Sequence, residues 1–140
     1  MAQIQGAASE ENYATRKTIL IVEDDPSIAE FFKMAIAQET PYHPLLAETG
    51  ERAFEIVQHV KPALFLLDYV LGTMSGLDLY DSLHAQQGLE AIPAIFLSAS
   101  SERLQDETDQ RHLVGLAKPV DLDELLLSIH MALGEHQEPV

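Results

Sequence analysis

The chain has 140 residues, which suffices for one domain of ordinary size but not for two domains with independent cores. Hydrophobic residues make up 46% of it and aromatic residues 6%, a globular composition that excludes disordered and collagen-like chains. Eight Lys and Arg against 23 Asp and Glu give a formal net charge of −15, which disfavours direct nucleic-acid binding because the phosphates would be repelled.

Five short apolar runs alternate with segments of helical spacing, an order that builds a parallel sheet. The runs are residues 18–22, 42–47, 63–67, 93–97 and 112–117. Three of them are apolar almost throughout, as expected of strands covered by helices on both faces. Pro44 interrupts the second run. Because proline has no N–H to donate, we predict that this strand lies at an edge of the sheet.

The first predicted helix follows the first strand, with Asp25 as its N-cap and Pro26 as its first helical residue. The apolar stripe predicted to pack on the sheet consists of Ile28, Phe31, Phe32, Ala35 and Ile36. Residues 101–111 contain one strong apolar anchor, Leu104, among charged and polar residues. We therefore expect only a short or mobile helix there.

Three further helices have clear start signals. The second is predicted over residues 50–60 with Thr49 as its cap, and the third follows Gly76. The last begins at Asp121, whose pairing with Glu124 resembles a capping box.

The two ends of the chain and its cysteine content indicate the domain boundaries and the cellular compartment. We interpret residues 1–16 and 134–140 as tails and residues 17–133 as the folded domain. The chain has no cysteine, which excludes disulfides and thiolate chemistry and fits a reducing compartment. The first seventeen residues lack the apolar core of a signal peptide, and no apolar run approaches the ~18 residues needed to span a bilayer. We expect a cytoplasmic protein without membrane insertion.

Polar side chains follow four of the five predicted strands where each strand ends. They are Glu23, Asp24 and Asp25 after the first strand, Asp68 after the third, Ser98 after the fourth and Lys118 after the fifth. In an open α/β sheet, ligands bind beyond the carboxyl ends of the strands. Clustered carboxylates repel one another unless a proton or cation intervenes, and Mg²⁺ best fits oxygen ligands of this kind.

Each of these residues alone has an ordinary structural explanation. An acidic residue before a helix, such as Asp25, is often only its cap, Ser98 alone resembles a loop hydroxyl, and Lys118 alone resembles a surface lysine. Asp68 is harder to explain in this way, because an uncompensated charge at the end of the most apolar run is costly. Their joint occurrence favours a functional site.

The motifs at these positions resemble those of the response-regulator receiver domain of two-component signalling. They are residues 19–25 (ILIVEDD), 66–68 (LLD) with 74–76 (MSG), 98–99 (SA) and 118–119 (KP). The resemblance covers roughly residues 17–133. It implies a flavodoxin-like α/β fold: a doubly wound, five-stranded parallel sheet of strand order 2-1-3-4-5 with helices on both faces.

The resemblance also implies a metal site. Asp24 would be the direct Mg²⁺ ligand, Glu23 would act through water, and Val70 would contribute its backbone carbonyl; Asp68 belongs to the same metal-binding set.

By the same resemblance Asp68 is the phosphoacceptor, Ser98 donates a hydrogen bond to the phosphoryl group and Lys118 pairs with its charge. Phosphoryl transfer needs an aligned nucleophile and charge neutralisation, which such a set supplies. The implied phosphodonor is a histidine kinase or phosphotransfer protein, and the downstream target is an unknown protein.

Two positions depart from the family pattern. Gly72 stands where the family usually has proline, and Gly115 stands where it often has an aromatic residue. Because Gly115 offers no side chain to move, we expect activation to change the order or position of residues 99–111.

We interpret the chain as a stand-alone signalling protein rather than an enzyme with a separate substrate. The alternatives are a phosphorylation-independent interaction module of the same fold and an aspartate-nucleophile phosphatase. Val70 opposes the phosphatase, because that class has a second acid two residues after its nucleophile. A nucleotide-binding protein is disfavoured because no glycine-rich loop follows the first strand.

Overall fold

A computed structural model of the chain describes residues 17–72, 74–99 and 113–134, and the structural statements below concern these residues. The predicted helix over residues 101–111, the tail over residues 1–16 and residues 135–140 of the second tail lie outside them. The expected change in residues 99–111 likewise falls almost wholly outside the described part.

The described residues form seven strands and four helices. The strands are β1 (Thr18–Val22), β2 (His43–Ala47), β3 (Leu64–Asp68), β4 (Val70–Leu71), β5 (Met74–Ser75), β6 (Ala94–Ser98) and β7 (Val114–Ala117). The helices are α1 (Pro26–Glu39), α2 (Gly50–Val57), α3 (Gly76–His84) and α4 (Leu122–Ala132). The five strands predicted from apolar runs are confirmed to within two residues at each end. The two-residue strands β4 and β5 were not predicted.

The main sheet has the order β2-β1-β3-β6-β7, and all neighbouring strands in it are parallel. Because β6 and β7 are the fourth and fifth strands of this sheet in chain order, the predicted order 2-1-3-4-5 is confirmed. The predicted position of β2 at an edge is confirmed as well. The His43 N–H donates to the Lys17 carbonyl, and the Ala47 carbonyl accepts from the Glu23 N–H. The N–H groups of successive residues in a strand point to opposite sides, so the backbone nitrogen of Pro44 points away from β1. Its missing N–H therefore falls at the open edge.

Helices cover the sheet on both faces. One face packs against α2 and α3 through residues such as Ala53 and Leu79, and the other packs against α1 and α4 through residues such as Phe32 and Leu125. The central strands β3 and β6 are buried along their whole length. This explains why their sequences are apolar rather than alternating.

The predicted helix caps are confirmed. Asp25 Oδ1 accepts from the N–H groups of Ser27 and Ile28, Thr49 caps α2, and Asp121 caps α4. Helix α2 ends at Val57, three residues before the predicted end. The N–H groups of Gln58 and His59 then donate to carbonyls three residues earlier, a tighter turn that precedes Pro62, whereas the Val60 N–H still donates to the Ile56 carbonyl four residues earlier.

The predicted core stripe of α1 was wrong at Phe31, which is 51% exposed. The fully packed residues of α1 are Ala29, Phe32, Ala35 and Ile36. Phe31 instead lines a groove between α1 and the segment that follows β7. No helix among the described residues has the length and apolarity that crossing a membrane requires.

Candidate functional site

The predicted site residues lie together at the carboxyl edge of the main sheet. Asp68 and Ser98 are the last residues of β3 and β6, Glu23 and Asp24 directly follow β1, and Lys118 directly follows β7. The strand order reverses between β1 and β3. This edge is therefore the switch point at which open α/β sheets bind ligands.

Three carboxylates form the acidic part of the site. Glu23, Asp24 and Asp68 each offer an oxygen, and these oxygens lie within 4.8 Å of one another. Glu23 and Asp68 are buried, at 2% and 7% exposure, whereas Asp24 is exposed. Such a cluster of hard oxygen donors, open on one side to solvent, fits Mg²⁺, which keeps several waters when bound to proteins.

Lys118 bridges two of these carboxylates. Its Nζ lies 3.2 Å from Asp68 Oδ1 and 3.5 Å from Glu23 Oε1. Burial by itself lowers the pKa of Lys118, but attraction by Asp68 and Glu23 outweighs this effect and raises the pKa above its ordinary value. The site thus holds a fixed ammonium beside the Asp68 carboxylate.

The environment of Glu23 disfavours the ionised form of its carboxyl group. Its Oε2 accepts from the Asp25 N–H at 3.1 Å, whereas its buried Oε1 accepts no hydrogen bond from the described residues. Burial raises the pKa of Glu23 and the charge of Asp68 adds to the rise, although the Asp25 N–H and Lys118 oppose it. A cation at the cluster would stabilise the ionised carboxylate.

Ser98 is 3% exposed and is fixed through the backbone of its strand end. The Lys118 N–H donates to the Ser98 carbonyl at 2.8 Å, and the Tyr69 N–H donates to the Leu97 carbonyl at 2.7 Å. These bonds tie together the ends of β3, β6 and β7, which carry Asp68, Ser98 and Lys118. The hydroxyl and the ammonium are therefore positioned by the same ladder as the carboxylate.

The loop after Asp68 contains a small antiparallel hairpin, in which Val70 pairs with Ser75 and Leu71 with Met74. Gly72 has φ +64°, a left-handed conformation that glycine adopts without strain. The Val70 side chain is 62% exposed, so an apolar residue here does not block the site. The group that Val70 can offer to a metal is its backbone carbonyl.

The sequence alone indicates no structural role for Gly76, yet the fold requires glycine there. Its N–H donates to the Tyr69 carbonyl at 2.7 Å, and a Cβ at this position would lie 2.3 Å from the Asp68 carbonyl oxygen. Gly76 thus lets α3 begin directly against the backbone of Asp68. The sequence motif at residues 74–76 contains this glycine, but the close approach arises only in the folded chain.

Comparisons with known proteins agree with this geometry. The model of the response regulator receiver domain matches residues 19–130. Among curated proteins, the phosphate regulon transcriptional regulatory protein PhoB of Pseudomonas aeruginosa is 32% identical over 133 residues, which cover 89% of this chain and 57% of that protein. The DNA-binding response regulator MtrA of Mycolicibacterium smegmatis is 33% identical over 87 residues, which cover 62% of this chain and 36% of that protein. The chain thus spans only part of the length of these relatives.

Solved structures give the same result. A CheY-like response regulator receiver domain protein from Methanospirillum hungatei has a TM-score of 0.75 at 25% identity, over 86% of this chain and 96% of that one. The chemotaxis protein CheY4 of Vibrio cholerae has a TM-score of 0.76 at 21% identity, over 85% of this chain and 100% of that one, a likeness of fold alone. The chain belongs to the response regulator receiver domain family of two-component signalling.

Proposed function

We propose that this protein is a phosphoacceptor that receives a phosphoryl group on Asp68 with Mg²⁺ and signals by protein–protein contact. The observation that carries the proposal is the position of the Asp68 carboxylate, 3.2 Å from Lys118 Nζ and inside the three-carboxylate cluster. A nucleophile, a fixed cation and a cation-binding cluster thus meet at one edge of the sheet, as phosphoryl transfer requires.

In the proposed step, an Asp68 carboxylate oxygen bonds to the phosphorus of a phosphohistidine. The bond from phosphorus to the donor nitrogen breaks, and the nitrogen keeps the electron pair and later takes a proton from solvent. Lys118 stabilises charge on the phosphoryl oxygens, and the Ser98 hydroxyl donates a hydrogen bond to one of them. No general base is needed, because a carboxylate oxygen, unlike a hydroxyl, attacks without giving up a proton.

Mg²⁺ would be held by the carboxylates of Asp24 and Asp68 and the backbone carbonyl of Val70, with Glu23 acting through water. When bound, it neutralises charge on the carboxylates and the phosphoryl oxygens. The exposed position of Asp24 and the buried position of Glu23 support direct coordination by Asp24 and coordination through water by Glu23. An ion that enters from solvent meets Asp24 first.

An apolar groove beside the site supports a protein as phosphodonor. The groove, of about 360 Å³, lies between α1 and the segment after β7, and it is lined chiefly by Ile28, Phe31, Phe32, Lys118, Pro119 and Val120. Phe31 leaves half of its surface exposed there. We propose that a histidine kinase or phosphotransfer protein inserts an apolar side chain into this groove and thereby brings its phosphohistidine to Asp68.

The test is intact mass after incubation with acetyl phosphate, with and without Mg²⁺. We expect a gain of one phosphoryl group that requires Mg²⁺ and is lost in Asp68→Asn. Asp78→Asn is the matched control, since it makes the same change at an exposed carboxylate of α3 and should keep the gain. A modification that persists in Asp68→Asn would refute the assignment. A wild-type protein that gains no mass with this donor or with a phosphorylated histidine protein would instead be a phosphorylation-independent interaction module.

A further inference from the structure

Ser98 and Phe96 lie on the same strand and face the same side of the sheet. Phe96 is fully buried in the core between the sheet and helices α2 and α3. Because side chains alternate along a strand, Ser98, two residues later in β6, faces that side as well. A movement of the end of β6 at Ser98 would therefore act on the side of the sheet that holds the Phe96 ring.

The neighbouring strand β7 offers no side chain beside Phe96, because the residue paired with Phe96 in register is Gly115. The aromatic ring that packs on Phe96 comes instead from α3. The Tyr80 ring centroid lies 5.5 Å from that of Phe96, in an edge-to-face arrangement with an interplanar angle of 71°. Tyr80 is only partly buried, so it reaches from this core to the surface.

A second contact ties the same part of α3 to β6. The Tyr80 and His84 ring centroids are 3.9 Å apart, and His84 Nε2 lies 2.6 Å from the Ile92 carbonyl oxygen. A carbonyl can only accept, so Nε2 carries the proton of this hydrogen bond. Ile92 lies two residues before β6 begins. Helix α3 is thus linked to β6 at the start of the strand and at the Phe96 ring.

We propose that Tyr80 is the positioning residue that couples Ser98 to the surface of α3. A phosphoryl group on Asp68 would attract the Ser98 hydroxyl, because a hydrogen bond to it is available only in the phosphorylated state. The end of β6 then moves, the Phe96 ring moves with it, and Tyr80 changes its position on α3. This inference rests on the proposed function, since it requires a phosphoryl group on Asp68.

The first experiment uses the full chain labelled with fluorotyrosine and ¹⁹F NMR, with beryllofluoride and Mg²⁺ as the phosphoryl mimic. The chain has four tyrosines, whose signals are assigned with single Tyr→Phe variants. Tyr69 directly follows Asp68 and reports binding at the site. Tyr42 is buried on the opposite face of the sheet, with its ring 6.0 Å from that of His130, and serves as the unresponsive control. We expect Tyr69 and Tyr80 to shift by more than a linewidth and Tyr42 to stay in place.

The outcomes separate this inference from the proposed function. If Tyr69 shifts and Tyr80 does not, the coupling is refuted and phosphorylation at Asp68 stands. If neither signal shifts, the mimic does not bind and the proposed function fails as well. A Tyr42 shift as large as that of Tyr80 would also refute the coupling, because the change would then not follow the route from Ser98 to α3.

The second experiment asks whether the ring itself is needed. We expect the mimic to change hydrogen exchange in α3 by a factor of about two to ten in the wild type, the equilibrium equivalent of one edge-to-face aromatic contact. Tyr80→Phe keeps the ring and should keep this change. Tyr80→Leu should lose it while Tyr69 still responds to the mimic. An unaltered response of α3 in Tyr80→Leu would overturn the proposal. If that variant fails to fold, the ¹⁹F measurement on the wild-type protein decides the question.

Discussion

Substituting Gly76 by alanine tests how closely the fold supports the candidate phosphoacceptor. A Cβ at this position would lie 2.3 Å from the Asp68 carbonyl oxygen and 3.1 Å from both the Asp68 carbonyl carbon and Tyr69 Cα. Ordinary contact begins at 3.4 Å. All three atoms belong to the backbone, so no rotamer change can relieve the overlap. The start of α3 and the loop after Asp68 must separate by about 1 Å, a movement in the range that overpacking makes costly.

The expected cost is about 1–3 kcal/mol of unfolding free energy. Alanine favours helix over glycine by about 1 kcal/mol in a helix interior, and Gly76 is only the first residue of α3, so this gain is smaller than the cost of the clash. The separation also weakens the bond from the Gly76 N–H to the Tyr69 carbonyl. Because the displaced atoms belong to Asp68 and its neighbour, phosphorylation of Asp68 should slow as well.

Gly50→Ala is the matched control, because Gly50 is the first residue of α2 as Gly76 is of α3. A Cβ there would lie 3.0 Å from Met74 Sδ, an atom of a flexible side chain that can give way. We expect this variant to stay within about 0.5 kcal/mol of the wild type. Urea denaturation of both variants checks the comparison, and equal stabilities for the two would refute the reasoning.

Three further predictions concern the site and the fold. Mg²⁺ at 100 times its dissociation constant should stabilise the protein by about 2.7 kcal/mol, and Asp24→Ala should remove this gain in thermal unfolding; an unchanged gain would place the ion elsewhere. Because the folded protein holds the Glu23 proton more tightly than the unfolded chain does, the unfolding free energy without metal should fall as the pH rises from 4.5 through the raised pKa. Glu23→Gln should flatten this fall in urea titrations, and identical slopes in both proteins would contradict the assignment. Asp121→Ala should cost about 0.5–2 kcal/mol in the same assay, since it removes the cap of α4, and a smaller loss would show that the exposed helix end is satisfied by water.

The sequence allowed the sheet to be predicted because its signals are local. Apolar runs of strand length marked β1, β3 and β6, and the edge position of β2 followed from Pro44 alone, since only an edge tolerates a missing donor. The meeting of the polar residues at one sheet edge also followed, because carboxyl ends of parallel strands share an edge. The caps at Asp25 and Thr49 were predictable because they are local: each capping side chain accepts from N–H groups at most three residues later.

The features that escaped prediction depend on contacts between distant parts of the chain. Helical spacing placed Phe31 in the core stripe, but Phe31 lines a groove beside the segment after β7, which no local spacing indicates. The need for glycine at position 76 arises from the backbone of Asp68, eight residues away in sequence. The edge-to-face contact of Tyr80 with Phe96 joins α3 to β6, and nothing in either segment alone indicates it.

Under the proposed function, the charges at the site should make phosphorylation of Asp68 depend on a divalent cation. When ionised, Glu23, Asp24 and Asp68 carry three negative charges, and Lys118 supplies one positive charge that it already shares between Asp68 and Glu23. Phosphorylation would replace the single charge of the Asp68 carboxylate with a phosphoryl group of about −1.5 to −2 charge near neutral pH, which makes this excess larger. A dication cancels the excess of the unmodified cluster before the phosphoryl group arrives. Burial raises the pKa of Glu23 and repulsion by Asp68 adds to the rise, so a dication that relieves this repulsion should bind before phosphoryl transfer rather than after it.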